Sequence, residues 1–231
     1  MQNPLQSPSQ DASARRTTVD SDSNGRFLAL ARELAEVGRG FYARNWVLGT
    51  SGNFSAAISK DPIRLAITAT GLDKGRLVPE QFLEIDEGEN VLRGDGKPSA
   101  ETLLHIEIVR ERNAGAVLHT HSVFGTVLSG LFAAKGGLAI EGYEMLKGLT
   151  GVQTHEHREW VPIIPNSQYM APLSRVVSET LREHPNVHGF LLQEHGLYTW
   201  GADIDEARRH IEIFEFLMET LVRRMNLSQR I

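Results

Sequence analysis

His119, Thr120 and His121 close the apolar run Gly115-Ala116-Val117-Leu118 and are the residues with the most chemistry in them. On a β-strand, side chains two apart project from one face, about 6–7 Å apart at ~3.3 Å per residue. Two imidazoles so placed can share a divalent ion, each at about 2.0–2.1 Å from zinc. A third imidazole, His195, ends the apolar run His188-Gly-Phe-Leu-Leu-Gln-Glu-His195 and is followed at once by Gly196. Three imidazoles from two strand ends, in a chain without cysteine, predict an open catalytic metal centre. Zinc is its expected occupant. His155 and His157 share the alternate spacing but lie beside Arg158 and Glu159, where a solvated loop is expected. His105, His184, His188 and His210 fall on predicted helices or loops and read as structural or surface residues.

A second constellation is the run Gly49-Thr50-Ser51-Gly52-Asn53-Phe54-Ser55. Glycines let a backbone approach an anion, and successive amides with small hydroxyls supply donors. Thr68-Ala69-Thr70-Gly71 ends the next predicted strand, and Lys97-Pro98-Ser99 precedes a predicted helix N-terminus, itself an anion site. Each of these is equally a plain turn; together they can converge on one phosphate. Two carboxylates have the positions to move protons: Glu101, just past Ser99, and Glu144, within Gly142-Tyr143-Glu144-Met145. Glu101 also reads as favourable charge at a helix start and Glu144 as an exposed helix residue, and spacing does not separate these readings.

The elements that must hold these groups follow from periodicity. Phe27, Leu30, Leu34, Val37 and Phe41 recur at spacings of three and four, predicting an amphipathic helix from Arg26 to Trp46. Phe54–Ser59, Ile63–Thr68, Phe82–Ile85 and Val91–Leu92 read as an antiparallel meander. A helix is expected from Ser99 to Asn113, with Ser99 as N-cap. Strand Ala116–Thr120 should lead into a helix over Ser122–Lys135, ended by Gly136-Gly137. Short helix Glu141–Lys147, strand Val161–Pro165, helix Pro172–Glu183, strands Gly189–Leu192 and Leu197–Trp200 and a helix from Asp203 to Met225 complete the chain. A single-domain α/β/α protein with a mainly antiparallel central sheet is the expected fold.

Composition sets the remaining bounds. The 231 residues suffice for one sizeable core, and a net charge of −5 offers no basic footprint for nucleic acid. No apolar stretch approaches a membrane span of ~18–20 residues, and Met1–Gln10 lacks a basic start and an apolar segment. A cytoplasmic protein without nucleic-acid or membrane partners is expected. Residues 1–24, rich in Ser, Gln, Asp and Thr, are expected to form a disordered tail ahead of a catalytic domain over 25–231.

In their order along the chain, Gly49-Thr-Ser-Gly-Asn53, Thr68-Ala-Thr-Gly71, Lys97-Pro-Ser-Ala-Glu101, His119-Thr-His121 and Glu194-His195-Gly196 resemble the class II aldolase/adducin family from about Phe27 to Leu221. Lys97–His105, Gly142–Gly148, Val161–Asn166 and Tyr198–Gly201 narrow the resemblance to the branch that dehydrates 5-methylthioribulose 1-phosphate in methionine salvage. The resemblance implies one zinc per chain on His119, His121 and His195, and substrate phosphate on Gly52, Asn53, Thr70, Gly71 and Ser99. It further implies a sugar-phosphate substrate and a homotetramer with sites near subunit interfaces. Glu101 matches the acid/base carboxylate of the aldolases and Glu144 that of the dehydratases, so Glu144 ranks first. Ala100 stands where aldolases commonly carry a second phosphate-binding serine. The alternatives are a sugar-phosphate aldolase of fuculose- or rhamnulose-phosphate type and a non-catalytic adducin-like module.

Overall fold

The computed structural model describes residues 11–228, with side chains from Asn24 onward. Helix α1 spans Asp11–Ala43 and is followed by strands β1 (Asn53–Lys60), β2 (Ile63–Thr68), β3 (Phe82–Asp86) and β4 (Val91–Arg93). Then come α2 (Thr102–Arg112), β5 (Ala116–Thr120), α3 (Val123–Phe132), β6 (Gly137–Ile140), β7 (Glu159–Ile164), α4 (Met170–Glu183), β8 (Gly189–Leu192), β9 (Gly196–Gly201) and α5 (Ile204–Ser228). The nine strands form one sheet in the order β4-β3-β2-β1-β5-β9-β8-β7-β6. Every pairing is antiparallel except β7 with β8. The expected meander and the mainly antiparallel sheet are both present.

The central strands are buried on both faces, which is why β5 reads as a continuous apolar run rather than an alternating one. One face packs Leu104, Ile108, Val117, Leu173, Val177 and Phe190 into a core under α2 and α4. The other packs Leu34, Phe41, Leu118, Leu128, Leu197, Phe214 and Leu217 under α1, α3 and α5. A three-layer α/β/α sandwich results. The expected stripe of α1 is on the inner side, with Phe27, Leu34, Val37 and Phe41 buried. Among the described residues no helix is long and apolar enough to cross a membrane.

Three expectations are corrected and one strand is added. Helix α1 starts at Asp11, so residues 11–24 of the expected tail are its first turns, while residues 1–10 lie outside those described. Helix α2 starts at Thr102 rather than Ser99, with Glu101 as its N-cap residue. Pro98 is tied to Ala69 by a bridge and Thr102 N donates to Ser99 O, so Lys97–Ala100 is spent on reaching β2. The short helix expected over 141–147 is a 3₁₀ turn, Glu144–Gly148. Strand β6 carries no alternation in Gly-Leu-Ala-Ile and forms by pairing with β7 at the sheet edge.

Candidate metal centre and the cavity beside it

Register positions the site. Asn53 of β1 faces His119 of β5, and His119 faces Tyr198 of β9, so the three share a row and project to one side. Tyr198 stacks on His119 with ring centroids 3.8 Å apart, and Phe190 stacks behind it at 5.0 Å. The buried His119 ring gives its Nδ1 hydrogen to Leu197 O at 2.9 Å. Nε2 therefore carries a lone pair, and it has no hydrogen-bond partner. His121 lies one residue past the strand end, fixed by its amide, which donates to Trp46 O at 2.8 Å. His195 sits in the turn between β8 and β9, where Glu194 adopts the left-handed conformation (φ 53°) and Glu194 N donates to Ser129 Oγ. Gly196 lets β9 close on β5 here, since a Cβ would lie 2.0 Å from Thr120 O and 3.0 Å from His119 Cε1.

These turns bring His119, His121 and His195 together as expected, and they add Glu101. The four ligand atoms lie within 4.8 Å of one another. His121 and His195 approach at 3.1 Å, Nε2 to Nε2. Glu101 Oε1 is 3.1 Å from His195 Nε2, and Oε2 is 3.7 Å from His119 Nε2. Burial drives His119 well below the usual imidazole range and His121 to about 4, the neighbouring His195 adding to the second shift. Burial alone would raise the Glu101 carboxyl, but His119, His195 and the Asn53 hydrogen bond hold it well below the usual carboxylate range. Three imidazoles beside an ionised carboxylate, His119 and His121 kept neutral by burial and His119 aiming an orphaned lone pair at the others, are the donor set of a divalent metal.

A supporting layer orients this set. His105, buried and kept neutral by a pKa of about 4, holds Asn53 Oδ1 through Nε2 at 2.5 Å and meets Ser55 Oγ through Nδ1 at 2.7 Å. The Asn53 amide is thereby turned so that Nδ2 donates to Glu101 Oε2 at 2.5 Å and to Ser99 Oγ at 3.3 Å. On the opposite sheet face, Thr120 Oγ1 donates to buried Glu215 of α5 at 2.8 Å. Burial pushes that carboxyl up to about 7. Gly52, at φ 74°, sits where a Cβ would lie 2.7 Å from His119 O, so the Gly49–Asn53 turn packs directly on the strand that carries His119.

Beside the cluster is a cavity of about 170 Å³. Gly52, Asn53, Thr70, Gly71 and Ser99, the five residues expected to hold phosphate, all line it, together with Glu101, His121 and Lys74. A larger cavity of about 620 Å³ opens at the opposite end of β5 and β9, around Asn113, Trp200 and His210, and contains no member of the cluster. Glu144 is not brought to the cluster within this chain. Its side chain is 71 % exposed on the 3₁₀ turn, Oε1 accepts from Lys147 Nζ at 2.7 Å, and that bond holds the carboxyl below its ordinary pKa. Local pattern marks His105 as structural without naming its partner, and it does not single out Lys74, Tyr198 or Glu215. The only signal for Lys74 is its position three residues past Gly71.

Comparison with known proteins gives a consistent result. A model of the Class II Aldolase and Adducin N-terminal domain matches residues 32–222. A methylthioribulose-1-phosphate dehydratase from Marinobacter nauticus is 42% identical over 205 residues, 88% of this chain and 98% of the relative. The enzyme of the same name from Pseudomonas savastanoi is 47% identical over 191 residues, 82% of this chain and 92% of the relative. Among solved structures, L-fuculose-1-phosphate aldolase from Thermus thermophilus superposes with a TM-score of 0.68 at 25% identity, covering 89% of this chain and 98% of that one.

Proposed function

This chain belongs to the class II aldolase and adducin family, and on that premise we propose that it dehydrates 5-methylthioribulose 1-phosphate to 2,3-diketo-5-methylthiopentyl 1-phosphate in methionine salvage. The observation that carries the reading is the meeting of three imidazoles and Glu101 at the wall of a cavity lined by all five expected phosphate residues. Dehydratase relatives at 42% and 47% identity, and Ala100 in place of the second serine of the aldolases, favour water loss over carbon–carbon cleavage.

His119, His121, His195 and Glu101 would hold a divalent metal, and zinc is the ion we assign to them. When bound, the ion supplies Lewis-acid polarisation of the substrate carbonyl, acidifying the neighbouring C3 hydrogen. The chain supplies the rest. The Gly49–Asn53 turn, Thr70, Gly71 and Ser99 take the phosphate, which fixes the reacting carbons over the histidines. A carboxylate removes the C3 proton, the C3–C4 double bond forms, and the C4 hydroxyl takes a proton and leaves as water. The enol so formed ketonises to the 2,3-diketone. We assign the proton transfer to Glu144 and keep Glu101 as a ligand already committed to Asn53 and His195. Exposed as it is, Glu144 would serve the cluster of a neighbouring chain, in keeping with a cytoplasmic homotetramer.

Incubation of the purified, metal-loaded protein with 5-methylthioribulose 1-phosphate tests the reading. Loss of one water, abolished by chelator, is expected. Release of an aldehyde would instead support a sugar-phosphate aldolase, the second reading favoured by the Thermus structure. A protein that binds no metal and turns over neither way would be an adducin-like module.

A further inference from the structure

Lys74 opens a 3₁₀ turn, Lys74–Arg76, in the short segment that joins β2 to β3. A lysine in Gly71-Leu-Asp-Lys-Gly-Arg76 would ordinarily extend into water, yet this one is only 1 % exposed. Its ammonium donates to Thr50 O at 3.0 Å and to Leu72 O at 2.8 Å. Thr50 and Lys74 both line the 170 Å³ cavity, so the two carbonyls fix the ammonium at its wall. An ammonium has three hydrogens, and one remains beyond the two carbonyls.

Buried lysines are almost always paired with an acid. Among the described residues no carboxylate lies within ion-pair distance of this one. Asp73 and Glu101 face it only at longer range and His121 is its imidazole neighbour, while burial draws its pKa down to about 8 and leaves it cationic at neutral pH. It is also the one Lys or Arg among the residues lining the cavity. A phosphate monoester entering there meets the ionised Glu101 carboxylate in the same lining, and a fixed cation with a spare donor offsets that repulsion with a charge-assisted hydrogen bond.

We propose that Lys74 is the cationic anchor of the substrate's phosphate monoester, and so the residue that makes this site select phosphorylated over unphosphorylated sugars. The inference rests on the sugar-phosphate reading above but concerns the anion, not the bond that breaks.

The test uses the full chain loaded with metal, titrated calorimetrically with inorganic phosphate, and then assayed with 5-methylthioribulose 1-phosphate. Lys74→Met should weaken phosphate binding and raise KM by at least about tenfold each, with kcat within about threefold and metal content unchanged. Lys74→Gln retains a donor for Thr50 O without the charge, and decides the matter if the Met variant does not fold. It should show the same loss. Unchanged phosphate affinity and KM in a folded variant overturn the anchor while leaving the dehydratase reading intact. Phosphate binding that depends on Lys74, in a protein that does not turn over the methylthio sugar, overturns the reading and keeps the anchor. A wild-type protein with no affinity for phosphate overturns the anchor.

Discussion

Tyr198 lies flat against His119, its plane within 12° of the imidazole, and both side chains are wholly buried. The pairing follows from register alone, since the two residues face each other across β5 and β9. It restrains an imidazole whose Nδ1 is already spent on Leu197 O.

Removing that restraint should loosen the metal. Tyr198→Leu is expected to weaken metal affinity by about 10–100-fold, the range typical of residues that orient ligands, and to cost roughly 2–4 kcal/mol of stability for the vacated volume. Tyr198→Phe keeps the ring and should restore metal affinity. Competition with a fluorescent chelator gives the first quantity and thermal melts the second; equal metal affinity in the Leu variant would show the stack to be ordinary packing.

His121→Ala deletes one imidazole of the cluster, beyond the last residue of β5. Bound metal should fall from one per chain toward zero by elemental analysis, with the far-UV spectrum preserved. Turnover should drop by on the order of 10³-fold, the equivalent of several kcal/mol of Lewis-acid stabilisation. Full activity in a metal-free variant would contradict the centre.

Glu144→Gln should keep its metal and lose turnover by about 10²–10⁴-fold, as removal of a proton-transfer group does. Because Glu144 is remote from its own histidines, co-expression of Glu144→Gln with His121→Ala should recover up to about a quarter of wild-type activity in mixed oligomers, through sites that combine an intact cluster with an intact carboxylate. If the mixture stays inactive and Glu101→Gln is the more damaged single variant with metal retained, the carboxylate assignment reverses.

Glu215 titrates in the opposite sense to a paired surface acid. Its folded pKa of about 7 lies above the ordinary glutamate value of 4.5, so the folded chain holds a proton that the unfolded chain releases. The stability that this group contributes is complete below about pH 4.5 and is lost as pH rises through about 7. Glu215→Gln removes that loss: its melting temperature should exceed that of wild type at about pH 8 and match it near pH 5, the difference corresponding to at most roughly 3 kcal/mol. Parallel melting profiles across that range would refute the raised pKa.

How much of the fold and of the site is legible in the amino-acid order is governed by locality. Alternation over His119-Thr120-His121 and the glycine after His195 make the histidine centre legible, because each signal lies within a few residues. The same holds for the turns around Gly52, Gly71 and Ser99, whose convergence needs only strand ends on one side of a sheet. Glu101 is legible as a carboxylate but not as a member of the cluster, since its direction depends on an amide turned by His105, four residues along the chain, against a strand about fifty residues earlier. Lys74 is invisible for the same reason: its burial is made by carbonyls from two separate turns. The parallel contact of β7 with β8 and the edge strand β6 likewise come from pairing, not from local pattern.

At residue 196 the backbone leaves no room for even a methyl group beside Thr120 and His119. That seam is therefore closed to protein engineering, and any attempt to retune this catalyst toward other sugars has to spare residue 196.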